Sequence, residues 1–109
     1  MSRPRNVVLT GFMGTGKTTV GEIVAAHTGL RFVDMDAAIV ESVGTSIPEI
    51  FAREGEAGFR RHERAVCLAL AAESGQVIAT GGGALVSAEN RRTMIDAGLV
   101  ICLTAAPAV

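Results

Sequence analysis

Short strand-like runs alternate along this chain with longer segments in which apolar residues recur at helical spacing. The runs are VVL at 7–9, RFVD at 31–34, VIAT at 77–80 and LVICL at 99–103. Short runs rich in β-branched residues are typical of strands buried on both faces. Strands that alternate with helices predict an α/β fold, in which a parallel sheet carries helices on both faces.

The segments between these runs predict helices with recognisable starts and stops. Segment 17–28 places Val20, Ile23, Val24 and His27 at helical spacing, and Gly29 ends it. Segment 37–43 is ended by Gly44. Ser46 and Glu49 form a capping box, which predicts a short helix that Gly55 terminates.

Two further helices complete the pattern. Segment 56–73 places Phe59, Val66 and Leu70 on its inner side, and Gly75 follows it. Ser87 is expected to cap a helix that runs to Asp96. Thr104 and Pro107 then predict another helix start at the point where the sequence ends, so we expect a truncated chain.

Composition narrows the class of protein. With 109 residues, the chain is expected to form one domain over 1–109. Hydrophobic residues make up 49% and charged residues 19%, which is typical of a globular protein. The net charge of −1 gives no electrostatic case for nucleic acid or an anionic membrane, and no apolar run approaches the roughly 20 residues of a membrane span.

The cysteines and histidines predict no metal site or disulfide. Cys67 and Cys102 lie far apart in apolar segments and are read as two buried thiols of a reducing cytoplasm. His27 is read as a packing residue or as a complement to the helix dipole, and His62 as a surface residue.

The stretch GFMGTGKT from Gly11 to Thr18 matches G-x-x-x-x-G-K-[ST] at every fixed position. Such a loop wraps a polyphosphate with backbone N–H groups, and the helix that follows adds its positive dipole end. Lys17 can reach the β- and γ-phosphates, and the Thr18 hydroxyl can bind Mg²⁺. The sequence therefore predicts an ATP or GTP site that uses magnesium.

Three further stretches follow predicted strands or lie on the long helix, and each has two interpretations. Asp34 and Asp36 can serve magnesium and an attacking hydroxyl, or merely cap a helix. Arg60 offers a planar fork for a carboxylate that Glu63 can hold in place, although the arginines here also suit a solvated helix face. Residues 81–83, GGG, expose bare backbone amides or form a flexible strand exit.

Taken together, these stretches resemble the shikimate kinase family. The phosphate-binding loop, DMD at 34–36, IFAREGEAGFRRHE at 50–63 and ATGGGA at 79–84 match the family in order and spacing. The resemblance implies a P-loop NTPase-like fold and a cytoplasmic, monomeric enzyme of aromatic amino-acid biosynthesis. Its expected reaction transfers the γ-phosphoryl group of ATP to the 3-hydroxyl of shikimate.

The resemblance also implies roles for individual residues. Phosphate binding falls to Gly14, Thr15, Gly16, Lys17, Thr18 and Thr19, and magnesium binding to Thr18 and, through water, Asp34. Asp36 would bind and deprotonate the acceptor hydroxyl, and Arg60 would clamp the shikimate carboxylate. Gly81, Gly82 and Gly83 would contact the ring hydroxyls, with Phe51 and Phe59 lining the pocket.

The family pattern continues beyond Val109, with a fifth strand, a C-terminal helix and a lid that closes over ATP. We therefore expect four of five strands, little turnover by these 109 residues alone, and an unpaired apolar edge at the fourth strand. Two other functions remain open: a different small-molecule kinase, such as a gluconate kinase, and a non-catalytic nucleotide-binding module.

Overall fold

The computed structural model describes residues 6–11, 16–81, 85 and 87–103. Its helices and strands alternate in the order β1 (Asn6–Gly11), α1 (Lys17–Thr28), β2 (Arg31–Asp34), α2 (Met35–Val43), α3 (Ile47–Ala71), β3 (Gln76–Ala79), α4 (Ala88–Ala97) and β4 (Leu99–Leu103). The four predicted strands and their connecting helices are confirmed.

The strands form one parallel sheet in the order β2-β3-β1-β4. Val8 of β1 lies between Ile78 of β3 and Val100 of β4, which fixes the register across the centre. Because all four strands point the same way, their carboxyl ends meet at one edge of the sheet. The loops that follow β1, β2 and β3 therefore leave the sheet side by side.

Helices cover both faces of the sheet, as the buried strand pattern predicts. On one face Val7, Leu9 and Val77 pack with apolar residues of α1. On the other face Val8 and Ile78 pack with residues of α2, α3 and α4. Adjacent residues of β1 thus belong to different cores, which is the alternation expected of a strand buried on both sides.

The packing of helix α1 differs in part from the prediction based on its apolar spacing. Val20 and Val24 pack against the core, but Ile23 is 53% exposed and His27 is exposed. The packing interpretation of His27 is therefore wrong, whereas its place in the last turn of α1 agrees with the dipole interpretation. The small residue Gly21 is buried instead, with its Cα close to the Phe32 ring.

Helix α3 bends at Gly55, where the sequence predicts a helix end. Gly55 has φ 69° and ψ −175°, a conformation open to glycine and strained for other residues, and helical backbone continues on both sides of it. The Ser46 hydroxyl caps the first half by accepting from the Glu49 amide at 3.3 Å. The second half ends at Ala71, two residues before the predicted boundary.

The cysteines differ from each other. Cys67 is buried, and this burial raises the pKa of its thiol, so the group stays protonated. Cys102 on β4 is exposed, so the prediction of two buried thiols is wrong for this residue. The two residues are free cysteines.

Strand β4 is an edge of the described sheet, with Leu99 51% and Ile101 39% exposed. This agrees with the apolar edge expected from the sequence. Across the described parts of the chain, the helices are too short or too polar to traverse a bilayer.

Candidate active site

The phosphate-binding loop leads from β1 into α1. Gly16 has φ 78° and ψ 29°, and no side chain caps the helix that starts after it. The first backbone N–H groups of α1 therefore lack side-chain partners within the described residues, which suits an anion. Residues Gly14 and Thr15 lie outside the described residues, while Gly16, Thr18 and Thr19 are exposed at the start of the helix.

Lys17 reaches back to the end of β1. Its Nζ donates to the Gly11 carbonyl oxygen at 2.7 Å. The ammonium group is thus held at the carboxyl edge of the sheet, directly beside the start of α1. A cation at this place can neutralise the charge of a bound phosphate.

Asp34 ends β2 and caps α2. Its Oδ1 accepts from the amides of Asp36 and Ala37 at 2.9 and 3.3 Å. The helix-cap interpretation is therefore confirmed for Asp34, and the cap fixes the direction in which Asp36 leaves the strand. The two interpretations of the DMD stretch are compatible, since one carboxylate positions the other.

Asp36 lies where three strand ends meet. Burial, and secondarily the negative charge of Asp34, raise the pKa of the Asp36 carboxyl above its ordinary value, while the charge of Lys17 lowers it. Both charges lie close enough to act on this carboxyl. Asp36 thus brings the end of β2 into electrostatic contact with the phosphate-binding lysine.

Gly81 packs against the same carboxylate. A Cβ at Gly81 would collide with Asp36 Oδ1 and lie 3.1 Å from its Cγ, so the backbone approaches the acid as closely as a glycine allows. Thr80, one residue earlier, donates from Oγ1 to the Leu9 carbonyl oxygen at 3.0 Å and joins the ends of β3 and β1. Gly82 and Gly83 lie outside the described residues.

Arg60 is held by a buried acid. Its Nη1 donates to Glu63 Oε1 and Oε2 at 2.9 and 3.2 Å, and its Nε lies 3.8 Å from Glu56. The Glu63 side chain is 3% exposed, whereas that of Arg60 is 43% exposed. Both interpretations of Arg60 therefore stay open, since Glu63 fixes one side of a guanidinium whose side chain is still partly exposed to solvent.

Phe51 and Phe59 form an aromatic surface next to this arginine. Their rings stack with centroids 4.7 Å apart, and the Arg60 guanidinium carbon lies 5.4 Å from the Phe59 ring centroid. Phe59 is buried and Phe51 is 39% exposed. A cation beside an apolar wall suits a carboxylate ligand with a carbon ring.

The two halves of the candidate site meet through the core. Phe59, which precedes Arg60, and Met35, which precedes Asp36, belong to the same apolar cluster. The contacts of Arg60 within the described residues are with Phe59, Glu56 and Glu63. Convergence of Arg60 and Asp36 on one ligand therefore stays a prediction, although the residues before them share one core.

The donors present fit magnesium held together with phosphates. Asp34 supplies a carboxylate at the strand end and Thr18 an exposed hydroxyl at the start of α1. Among the described residues, no three His, Cys, Asp or Glu side chains are grouped as a protein-only metal site. Mg²⁺ in kinases takes one or two protein ligands plus phosphates and water, so a sparse donor set suits this ion.

Sequence reasoning missed two polar connections of α3. His62 was expected to be a plain surface residue, but its Nε2 lies 3.0 Å from Glu54 Oε2. Arg64 donates to Asn90 Oδ1 and Thr93 Oγ1 at 3.1 and 2.7 Å, which joins α3 to α4. The spacing of Glu54 and His62 gives no signal of this contact, because residues eight apart approach only if the helix bends between them.

A parallel sheet with a glycine–lysine loop after its first strand, and acids after its second, defines a P-loop kinase. A solved structure shares this fold: a gluconokinase from Sinorhizobium meliloti aligns with 98% of this chain and 61% of its own, at 20% identity and a TM-score of 0.57. At this identity the likeness shows the fold alone.

The particular family follows from closer matches. A family model described as shikimate kinase matches residues 13–109. The shikimate kinase of Geobacter sulfurreducens is 56% identical over 101 residues, covering 93% of this chain and 56% of that protein. A shikimate kinase from Acinetobacter baumannii, solved in complex with shikimate, has a TM-score of 0.91 at 43% identity, covering 96% and 58%.

The chain belongs to the shikimate kinase family. It spans a little over half the length of the curated relatives it matches. The family assignment rests on nearly all of this chain, so it reaches well beyond the phosphate-binding loop that P-loop kinases share.

Proposed function

We propose that this chain carries the phosphate-binding and acceptor sites of an enzyme that transfers the γ-phosphoryl group of ATP to the 3-hydroxyl of shikimate. The observation that carries the proposal is the position of Asp36. Its carboxylate packs against Gly81, and the charge of Lys17 acts on its pKa. A carboxylate at this place lies between a phosphate-binding cation and bare backbone that an acceptor can approach.

The proposed roles follow the strand ends. Backbone amides of residues 14–19 and the Lys17 ammonium bind the nucleotide phosphates. Arg60 pairs with the shikimate carboxylate, and residues 81–83 approach its ring hydroxyls. Phe51 and Phe59 form the apolar side of the pocket.

Asp36 acts on the attacking hydroxyl in this proposal. The hydroxyl donates a hydrogen bond to the carboxylate. Its proton passes to Asp36 as the oxygen forms its bond to the γ-phosphorus, while the bond from that phosphorus to the β,γ-bridging oxygen breaks and ADP leaves. A base whose pKa is raised towards the working pH takes up a proton more readily than an ordinary aspartate. The remaining contribution is alignment and charge neutralisation, which phosphoryl transfer chiefly requires.

Magnesium would be held by Thr18 and, through water, by Asp34. Bound there with the nucleotide, the ion would neutralise phosphate charge. The capping bonds accepted by Asp34 keep its carboxylate oriented at the edge of the sheet. We further propose a monomer that works in the cytoplasm, with shikimate and ATP as its partners and no part for nucleic acid or membrane.

Titration calorimetry tests this function. We expect shikimate to bind, and to bind more tightly with MgADP present, whereas gluconate added in excess leaves the shikimate titration unchanged. Displacement by gluconate would favour a different small-molecule kinase. A signal from MgADP without one from shikimate would contradict the proposal and indicate a nucleotide-binding module.

Gly81→Ala tests the contact with Asp36. The added methyl group displaces the carboxylate, because it would occupy the space that Oδ1 fills. Misplacement on the scale of an ångström can cost about 10²-fold in rate, so we expect shikimate-dependent ADP release to fall about tenfold or more, measured in a chain extended with the family's lid and C-terminal helix. The double variant Gly81→Ala/Asp36→Ala should be no slower than Asp36→Ala alone. Additive losses would show that Gly81 acts independently of Asp36.

A further inference from the structure

The bend in α3 brings together two pairs of residues that are each eight positions apart. Across Gly55, Phe51 stacks on Phe59 at 4.7 Å between ring centroids, and His62 Nε2 lies 3.0 and 3.1 Å from the two Glu54 carboxylate oxygens. The first member of each pair lies before the bend and the second lies after it. The two contacts therefore depend on the same backbone angle.

A straight helix would hold these pairs apart. Residues eight positions apart are separated by about 12 Å along the axis of an α-helix, which is too far for stacked rings or a direct hydrogen bond. The non-helical backbone of Gly55 shortens this separation. Gly55 permits the bend, but a residue with wide conformational freedom does not by itself select one angle.

Glu54 reaches His62 by lying over Gly58. A Cβ at Gly58 would collide with Glu54 Cβ and would lie 3.2 Å from its Oε1. The missing side chain leaves a path along the helix surface, which the Glu54 side chain follows to the imidazole. Both neutral and charged imidazole can donate from Nε2, so the hydrogen bond does not require a charged histidine.

We propose that Glu54 and His62 are positioning residues that fix the angle at Gly55 and so hold Phe51 against Phe59. The pair, with Gly58 between its members, is here called the α3 clasp. It acts on the pocket through the aromatic stack, because Phe59 is followed directly by Arg60. Its effect on shikimate rests on the proposed function, whereas its effect on the bend does not.

The two side chains of the clasp are partly exposed to solvent. The side chains of His62 and Glu54 are 32% and 36% exposed, so their pairing contributes modestly to stability. The stacked rings are also partly exposed to solvent, since Phe51 is 39% exposed. The core also anchors both halves of α3, through Ile50 before the bend and Phe59 after it, so the clasp adds a modest restraint on the angle to those that the core supplies.

The test uses His62→Ala, Glu54→Ala and their double variant in the full chain. We expect weaker nuclear Overhauser effects between the Phe51 and Phe59 rings, and amide hydrogen exchange about two- to fivefold faster over residues 47–54. Exchange over residues 64–71 should stay unchanged. The double variant should match either single variant, since each already removes the clasp.

Arg53→Ala is the matched control. It breaks an exposed pair with Glu49 at 3.1 Å that lies wholly before the bend. We expect this variant to keep the ring contact, and we expect His62→Gln, which retains an N–H donor, to restore most of it. Equal effects of Arg53→Ala and His62→Ala would overturn the proposal, because the loss would then reflect general weakening of the helix.

Shikimate titration separates the clasp from the proposed function. We expect His62→Ala to weaken shikimate binding about two- to fivefold, in step with the ring contact. Unchanged ring contact and exchange in both alanine variants would overturn the clasp. Lost ring contact with unchanged affinity would overturn its role in the pocket. A wild-type chain that binds no shikimate would contradict the proposed function, while the ring contact would still decide the clasp.

Discussion

Replacing Arg60 with methionine is expected to lower the free energy of unfolding by about 2–3 kcal/mol. The reason lies in Glu63 rather than in the arginine itself. Glu63 is 3% exposed and receives both hydrogen bonds from Arg60 Nη1, so the substitution leaves a buried carboxylate without this cation. Urea unfolding at neutral pH, with the m-value as a check on two-state behaviour, measures the loss.

The partner substitution provides the decisive comparison. Glu63→Met combined with Arg60→Met should recover most of the lost stability, because no charge is then left buried without a partner. Arg53→Met, which removes an exposed arginine paired with Glu49, should change stability by about 0.5 kcal/mol or less. A loss at Arg60 no larger than the loss at Arg53 would contradict a dependence of Glu63 on its arginine.

Ligand binding gives Arg60 a second readout. The double methionine variant restores stability but not the guanidinium fork. We therefore expect it to remain folded while its affinity for shikimate stays at least about tenfold below that of the wild type. Folded protein with normal affinity would remove Arg60 from the proposed carboxylate site.

Most of the fold could be predicted from sequence because its signals are local. VVL and LVICL mark strands by their β-branched and apolar residues, and Ser46 and Ser87 cap the helices they were expected to cap. The order β2-β3-β1-β4 leaves β4 at an edge of the described sheet, as the family resemblance led us to expect. Patterns of this kind involve residues within one turn or one strand, so no knowledge of distant contacts is needed.

The errors come from residues whose burial depends on distant contacts. Ile23 has helical spacing but faces solvent, while the neighbouring Gly21 packs on Phe32 of β2. Cys102 is apolar and lies in a strand, yet β4 is an edge of the described sheet and leaves it exposed. The sequence correctly predicts a helix or a strand in each case. It does not show which side of that helix or strand another element covers.

In the candidate site, too, some contacts could be predicted from strand order or helical spacing, whereas one contact could not. Asp36 and Gly81 follow neighbouring parallel strands, so their proximity could be expected from topology. The Arg60–Glu63 pair has the three-residue spacing of helix neighbours. The Glu54–His62 contact could not be found this way, because it requires the angle at Gly55, and the sequence indicates only that a break occurs there.

Asp36→Asn is expected to stabilise the fold at neutral pH and to remove most of the chemical activity. In the fold, burial and the charge of Asp34 outweigh the attraction of Lys17, and the pKa of Asp36 is raised. As the pH rises from the ordinary aspartate pKa towards this raised pKa, the unfolded chain loses its proton first. The folded state then binds more protons, so stability falls as the pH rises through this window.

Asparagine carries no charge, so it removes that loss. The stability gain of Asp36→Asn over the wild type should be present at pH 7, shrink as the pH is lowered through the window, and vanish below the ordinary aspartate pKa. Urea unfolding at a series of pH values measures it. Lys17→Met provides a contrast, because losing this cation raises the pKa of Asp36 further and extends the upper limit of the window to higher pH.

Activity should change in the opposite direction from stability. Without a carboxylate to take the hydroxyl proton, shikimate-dependent ADP release by Asp36→Asn should fall about 10²- to 10⁴-fold, measured in a chain extended with the family's lid and C-terminal helix. Binding of MgADP should stay near that of the wild type, because Asp36 contacts the acceptor in the proposed mechanism. A variant that is both less stable at pH 7 and fully active would contradict this account of Asp36. A gain in stability joined to a loss of turnover would mean that the fold retains a destabilising charge because the reaction uses it.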